Sequence, residues 1–232
     1  MEARLAIALI LAATLLGLAF VPQMWVRRVI AAHSHERPDL HLTGGGTARM
    51  LLDRMGLTSV NVEETTLGDH YDPQAKTVRL GKENFSGRSL SAIVIAAHEV
   101  GHAMQDATGY RPLAARQRLA AHALKVEKLG AVLMLAAPLM FILMKSPVAL
   151  AIEMIAGLFI MSSAILIHAV TLPVEFDASF KRALPLLAAA EVLRPADEPA
   201  ARQILRAAAL TYVAAAAMSL LDVMRWLRVL RL

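Results

Sequence analysis

The chain has 232 residues, 57% of them apolar and only 5% aromatic, a balance too greasy for an ordinary soluble domain, so a membrane protein is the class expected. It has no cysteine, which excludes disulfides, thiolate ligands and a cysteine nucleophile, so any metal must be held by His, Asp or Glu. The formal charge is +5, but the basic residues are scattered without interleaved aromatics, which argues against a nucleic-acid partner and for orientation at a lipid bilayer.

Leu5 to Val26 is uncharged and apolar over 22 residues, long enough for a helix to cross about 30 Å of hydrocarbon. Residues 1–28 are therefore expected as an N-terminal transmembrane helix. A cleaved signal peptide fits less well, because no small-x-small exit site is evident. Arg4 alone precedes the stretch while Arg27, Arg28 and Arg37 follow it, which places the downstream chain in the cytoplasm.

Residues 29–128 turn polar and read as a cytoplasmic catalytic domain. His33, His35 and His41 lack ligand spacing and suit an interfacial linker. Thr43 is placed to N-cap a helix running to about Met55, with Gly56 ending it in the left-handed conformation. Thr58 to Glu64 reads as a strand. Leu67 to Tyr71 and Lys76 to Leu80 flank the turn-forming Asp72-Pro73-Gln74 and read as a pairing of short strands.

Ser89 to Asp106 is then expected to be helical and carries His98-Glu99-Val100-Gly101-His102, an H-E-x-x-H pattern. Positions i and i+4 lie one above the other on a helix face, about 6 Å apart, so both imidazoles can bind one zinc ion. Glu99 is turned about 100° from His98, which suits it to take a proton from a water at the metal instead of binding the metal. The small apolar run Leu90 to Ala97 suits a helix buried behind such a site, and Gly101 leaves room for a close backbone approach. A small sheet followed at once by this helix is the order of a minimal zincin. A metzincin is excluded, since Gln105 and Thr108 stand where its extended pattern needs Gly and His.

Leu129 to Met144 and Val148 to Leu172, joined by Lys145-Ser146-Pro147, read as a transmembrane helical hairpin, 129–172. Lys125 and Lys128 before it, and Lys181 and Arg182 after it, put both open ends inside. Glu153 and His168 within it are candidates by position, more simply read as snorkelling or interhelical hydrogen bonding. His122 falls on a basic, solvated face. Residues 173–202 should re-emerge as a cytoplasmic helix. Residues 203–232, with Arg225, Arg228 and Arg231 on one face, are expected as an amphipathic helix, interfacial or packed on protein in preference to spanning. The fold class expected is thus a mainly α membrane protein with a small β-sheet, a minimal zincin catalytic domain plus transmembrane helices.

Asp69-His70-Tyr71-Asp72-Pro73, His98 to Gln105, Gly109 to Leu113 and Pro173 to Ser179 together resemble the YugP-type membrane neutral zinc metallopeptidases, and the resemblance covers nearly the whole chain. It implies a membrane-bound zinc protease of bacteria, in the inner or plasma membrane. A catalytic zinc takes three protein ligands and keeps the fourth position for water. Glu175 is the choice for the third. It follows Pro173, which suits the first turn of a new helix, and a glutamate from a second helix is the gluzincin arrangement. Glu175 to Ser179 resembles the E-x-x-A-D-like segment of membrane gluzincins, with Ser179 where those have Asp. Glu175 and Asp177 could equally be first-turn acids favoured by the helix dipole, and Asp177 could orient a histidine ligand. His70 and Tyr71 could offer a donor to the oxyanion of the tetrahedral intermediate, or simply pack.

The function expected is membrane-anchored, zinc-dependent endopeptidase action on peptides or proteins, with a zinc-activated water and Glu99 as base. Substrate backbone would lie along a strand edge near Thr77 to Leu80. An intramembrane site-2-type protease is one alternative, although Leu221-Asp222-Val223 lacks the glycine of the partner motif. A zinc-stabilised, non-catalytic membrane scaffold is the other.

Overall fold

Two hydroxyl caps begin the helices on which the fold is built. Thr43 Oγ accepts the Gly46 N–H at 3.1 Å and opens α2 (Gly44–Arg54); Ser89 Oγ accepts the Ala92 N–H at 3.1 Å and opens α4 (Leu90–Ala107). Each removes an orphan donor from a first turn. Gly56, at φ +71°, follows α2 in the region where a side chain would be strained. The computed structural model describes residues 2–119 and 170–211, with isolated positions between 132 and 167. The expectations for His122, Glu153, His168 and residues 212–232 lie outside the described residues.

The chain divides into two units. One comprises residues 1–22, 115–171 and 212–232, the other 23–114 and 172–211. The second holds a three-stranded sheet: β1 (Asn61–Thr65), β2 (His70–Asp72) and β3 (Thr77–Gly81), in the order β1-β3-β2. β3 pairs parallel with β1, in the register Val62 to Val78, and antiparallel with β2, in the register Tyr71 to Val78. Asp72 closes the β2–β3 turn by accepting the N–H groups of Gln74 and Ala75, the Asx geometry that Asp favours. Since β3 is the middle strand, Thr77 to Leu80 has no free edge; the expectation of strand addition there is corrected, and the open edges belong to β1 and β2.

α4 runs through the middle of this unit. It is buried almost continuously from Leu90 to Ala103, as a helix apolar on all sides must be. α2, the short α3 (Lys82–Ser86) and the sheet pack on it, as does a π-helix at Asp177–Ala183. The core gathers Leu51 and Leu52 of α2, Val78 and Leu80 of β3, Ile93 and Val94 of α4, and Ile204 and Leu205 of the helix at 198–211.

One expectation about the fold class is overturned. Among the described residues no helix is long and apolar enough to cross a membrane, so the transmembrane helix expected at 1–28 is withdrawn, and the orientation argument that presupposed it goes too; the hairpin expected at 129–172 falls largely outside the described residues. α1 does extend from Glu2 to Ala32, with Pro22 inside it. Its C-terminal end contributes Val26 and Val29, at 6% and 5% exposure, to the core of the second unit, whereas Phe20, Val21 and Met24 are exposed. A hydropathy run does not distinguish apolar residues that face lipid from those that face protein. In the described start of the C-terminal segment Ala207 and Ala209 are buried, as the protein-packed alternative requires.

Candidate active site

α4 presents His98 and His102 one turn apart, their ring centroids 4.8 Å from each other and their planes nearly perpendicular at 80°. Both rings are buried at 6% exposure. Across from them stands Glu175, at 1%, on the helical turn at 172–176 that leads into the π-helix. Its Oε2 is 3.1 Å from His98 Nε2 and 3.3 Å from His102 Nε2. Burial works to raise the pKa of Glu175, but hydrogen bonds from His102 and His98 outweigh it and hold the carboxyl well below its usual range. It is therefore an anion facing two imidazoles.

The π-helix has a cause in sequence. Pro185 stands two residues beyond its end; it has no N–H, and its ring crowds the carbonyl four residues earlier. The Leu184 N–H reaches the Ser179 carbonyl, five residues back, which widens the turn. Asp177, Ala178 and Ser179 are consequently all buried, three neighbours that an ordinary helix would fan over most of its circumference. Wide turns of this kind cluster at functional sites.

The wide turn also explains Gly101. A Cβ at that position would stand 2.6 Å from the Ala178 carbonyl oxygen, so α4 and the π-helix meet backbone to backbone, in the room that the glycine was expected to leave. Gly101→Ala should cost about 1–3 kcal/mol through overpacking, despite the better helix propensity of alanine. Thermal unfolding of the purified variant checks this; an unchanged or raised midpoint would contradict the close approach.

The far nitrogens of the two rings also have partners. His98 Nδ1 lies 3.0 Å from Ser179 Oγ, and His102 Nδ1 lies 2.9 Å from Gln105 Oε1. Gln105 in turn donates to the Val174 carbonyl at 2.8 Å and to Asp177 Oδ1 at 2.9 Å. Arg182 Nε donates to the same carboxylate oxygen at 2.8 Å. Burial tends to raise the pKa of Asp177, but Arg182 and Gln105 pull it below its ordinary range.

Of the residues singled out in the sequence, His98, His102, Glu175, Ser179 and Asp177 are thus brought together, with Glu99 buried beside His98 on α4. His70 and Tyr71 are placed otherwise. The Tyr71 hydroxyl donates to Asp106 Oδ2 at 2.7 Å, which also holds Lys76 Nζ at 2.6 Å, and His70 Nδ1 faces the Gly68 carbonyl. Gln105 was missed as a site residue. Its signal was available: it stands three residues after His102, hence on the same helix face.

The donor set fits zinc. Ligand bonds of about 2.0–2.1 Å in a tetrahedron put neighbouring ligand atoms roughly 3.3 Å apart, close to the two observed separations. All the candidate ligand atoms lie within 4.8 Å of one another, and among the described residues no fourth His, Asp or Glu joins the group. Two histidines from one helix and a glutamate from another match the donor set of zinc centres of the open, hydrolytic kind. Residues 7–231 match the family described as "Putative neutral zinc metallopeptidase", and the chain belongs to that family. It is similar to the "Putative membrane protease YugP" of Bacillus subtilis (strain 168), 38% identical over 220 residues that cover 92% of each chain. No solved structure matches it. The protein is a zinc metallopeptidase, an enzyme whose substrates are peptides or proteins.

Proposed function

We propose that the protein is a membrane-associated zinc endopeptidase in which His98, His102 and Glu175 hold the metal and Glu99 is the general base. The observation that carries this reading is the approach of Glu175 Oε2 to both imidazole Nε2 atoms, at 3.1 and 3.3 Å, from a helix more than seventy residues away in the chain. When bound, zinc polarises the scissile carbonyl and lowers the pKa of a water from 15.7 toward about 7. The two histidines serve as neutral donors, and Glu175 supplies one negative charge that half-neutralises the ion. Glu99 takes a proton from the attacking water as its oxygen bonds to the carbonyl carbon, then gives that proton to the amine nitrogen as the C–N bond breaks.

Substrate backbone is best received along β2, the open edge of the sheet that packs on α4, by strand addition. Packing of α2, the sheet and the π-helix on α4 favours a protein-walled centre over an intramembrane one. A structural zinc site would be closed by four protein ligands, whereas three are gathered here among the described residues, which favours turnover over a scaffold. Membrane association rests on the similarity to the putative membrane protease of Bacillus subtilis.

The test is hydrolysis of an unstructured, internally quenched peptide library by the purified protein, before and after removal of zinc by a chelator. Cleavage should fall to background on stripping and return with about one equivalent of zinc per chain. Hydrolysis that survives complete removal of the metal would refute the reading.

A further inference from the structure

We propose that Gln105 is a positioning residue for the metal centre: its side-chain amide, anchored on the helix that carries Glu175, holds His102 with the proton on Nδ1 and so leaves Nε2 to bind the ion. The proposal rests on the reading that His98, His102 and Glu175 are the zinc ligands.

An amide side chain has one donor end and one acceptor end. Gln105 is completely buried, and its nitrogen meets two groups that can only accept, the Val174 carbonyl at 2.8 Å and Asp177 Oδ1 at 2.9 Å. Turning the amide over would set its oxygen against both, a repulsion that is costly in a buried position. The orientation is therefore locked, and Oε1 is what His102 Nδ1 meets at 2.9 Å. That contact is a hydrogen bond only if Nδ1 carries the proton, and in a neutral imidazole the other nitrogen then holds the lone pair. The two histidines differ in this respect. His98 Nδ1 meets the Ser179 hydroxyl at 3.0 Å, which can donate or accept and does not dictate a tautomer.

The same amide sets a register. Its two acceptors, Val174 and Asp177, flank Glu175 in the chain, so the three hydrogen bonds of one side chain relate the ligand on α4 to the ligand on the second helix. Arg182 completes the arrangement, donating to Asp177 Oδ1 at 2.8 Å and to Thr108 Oγ at 3.2 Å just beyond α4.

A counterintuitive consequence separates this role from ordinary support of a histidine ligand. A carboxylate beside the far nitrogen commonly strengthens such a ligand. At position 105 a carboxylate would face the Val174 carbonyl and Asp177, so Gln105→Glu should weaken the site as the isosteric, apolar Gln105→Met does.

Zinc dissociation constants of the full-length wild type and of these two variants, measured by competition with a chromophoric chelator, test the proposal. 15N spectra of the histidine rings in the zinc-loaded protein are recorded alongside, because without the ion His102 Nε2 faces the Glu175 carboxylate at 3.3 Å. Both variants should bind zinc about 10–100-fold more weakly, and His102 should be the Nδ1–H tautomer in the wild type and a mixture in Gln105→Met. Folded variants whose affinity falls by less than about threefold, against that 10–100-fold expectation, would overturn the proposal and leave the ligand assignment standing. Should the variants fail to fold, the wild-type spectrum alone decides: an Nε2–H tautomer at His102 refutes the role. A wild type that binds no zinc at these three residues would bring down the ligand assignment, and this proposal with it.

Discussion

Replacing Glu99 by glutamine should leave zinc stoichiometry and the thermal midpoint close to wild type while peptide hydrolysis falls by about 100- to 10,000-fold, the usual worth of a positioned general base. The substitution preserves shape and removes only the capacity to take and return a proton. Glu99 is adjacent to His98 on α4 but outside the trio of candidate ligands, so the loss should appear in kcat with KM little changed, as for an interaction made only in the transition state. Metal analysis of the same samples used for kinetics makes the comparison clean. Undiminished turnover would assign the base elsewhere. Lost zinc would mean that Glu99 supports the metal instead of the proton transfer.

The second large effect belongs to Glu175. Glu175→Ala should abolish zinc binding at micromolar metal, a larger loss than the about 10–100-fold that outer-shell partners contribute, and activity should disappear in step with the metal. The pattern is opposite to that of Glu99→Gln, in which chemistry fails with the ion in place. Glu175→Ala also leaves two buried imidazoles facing each other without the anion that pairs with both, so the zinc-free protein should be less stable than zinc-free wild type, as expected when one partner of a buried charged group is removed. Equilibrium zinc binding and urea unfolding check the two halves separately. Stoichiometric zinc in Glu175→Ala would place the third ligand at another residue.

Much of the local structure was legible in the residue order because its causes are local. Thr43 and Ser89 announce helix starts through side chains that reach backbone three residues on; Gly56 and Asp72 announce turns. Strand positions could be read to within a few residues. Strand order could not: the parallel pairing of β1 with β3, which puts β3 between two neighbours, is decided by how the sheet covers α4, and it moved the expected substrate edge. Hydropathy was the least reliable guide. It reports how apolar a segment is and not what covers it: Val26 and Val29 are covered by protein, while Phe20, Val21 and Met24 are exposed.

The site divides along the same line. His98 and His102 are four residues apart on a helix, and helical periodicity alone stacks them; the zinc chemistry of the pair could be read before any fold was known. Their partners come from a segment more than seventy residues later, and no spacing in the sequence measures that distance. Backbone contact between Gly101 and Ala178, the wide turn before Pro185, and a buried amide with only one satisfiable orientation bring Glu175, Ser179 and Asp177 to the rings. Sequence determined which residue types could bind the ion, because donor chemistry and short-range geometry reside in the chain itself. Only the tertiary structure decided which of them meet, since that depends on close packing between elements distant in the chain, where a shift of an ångström separates a ligand from a bystander.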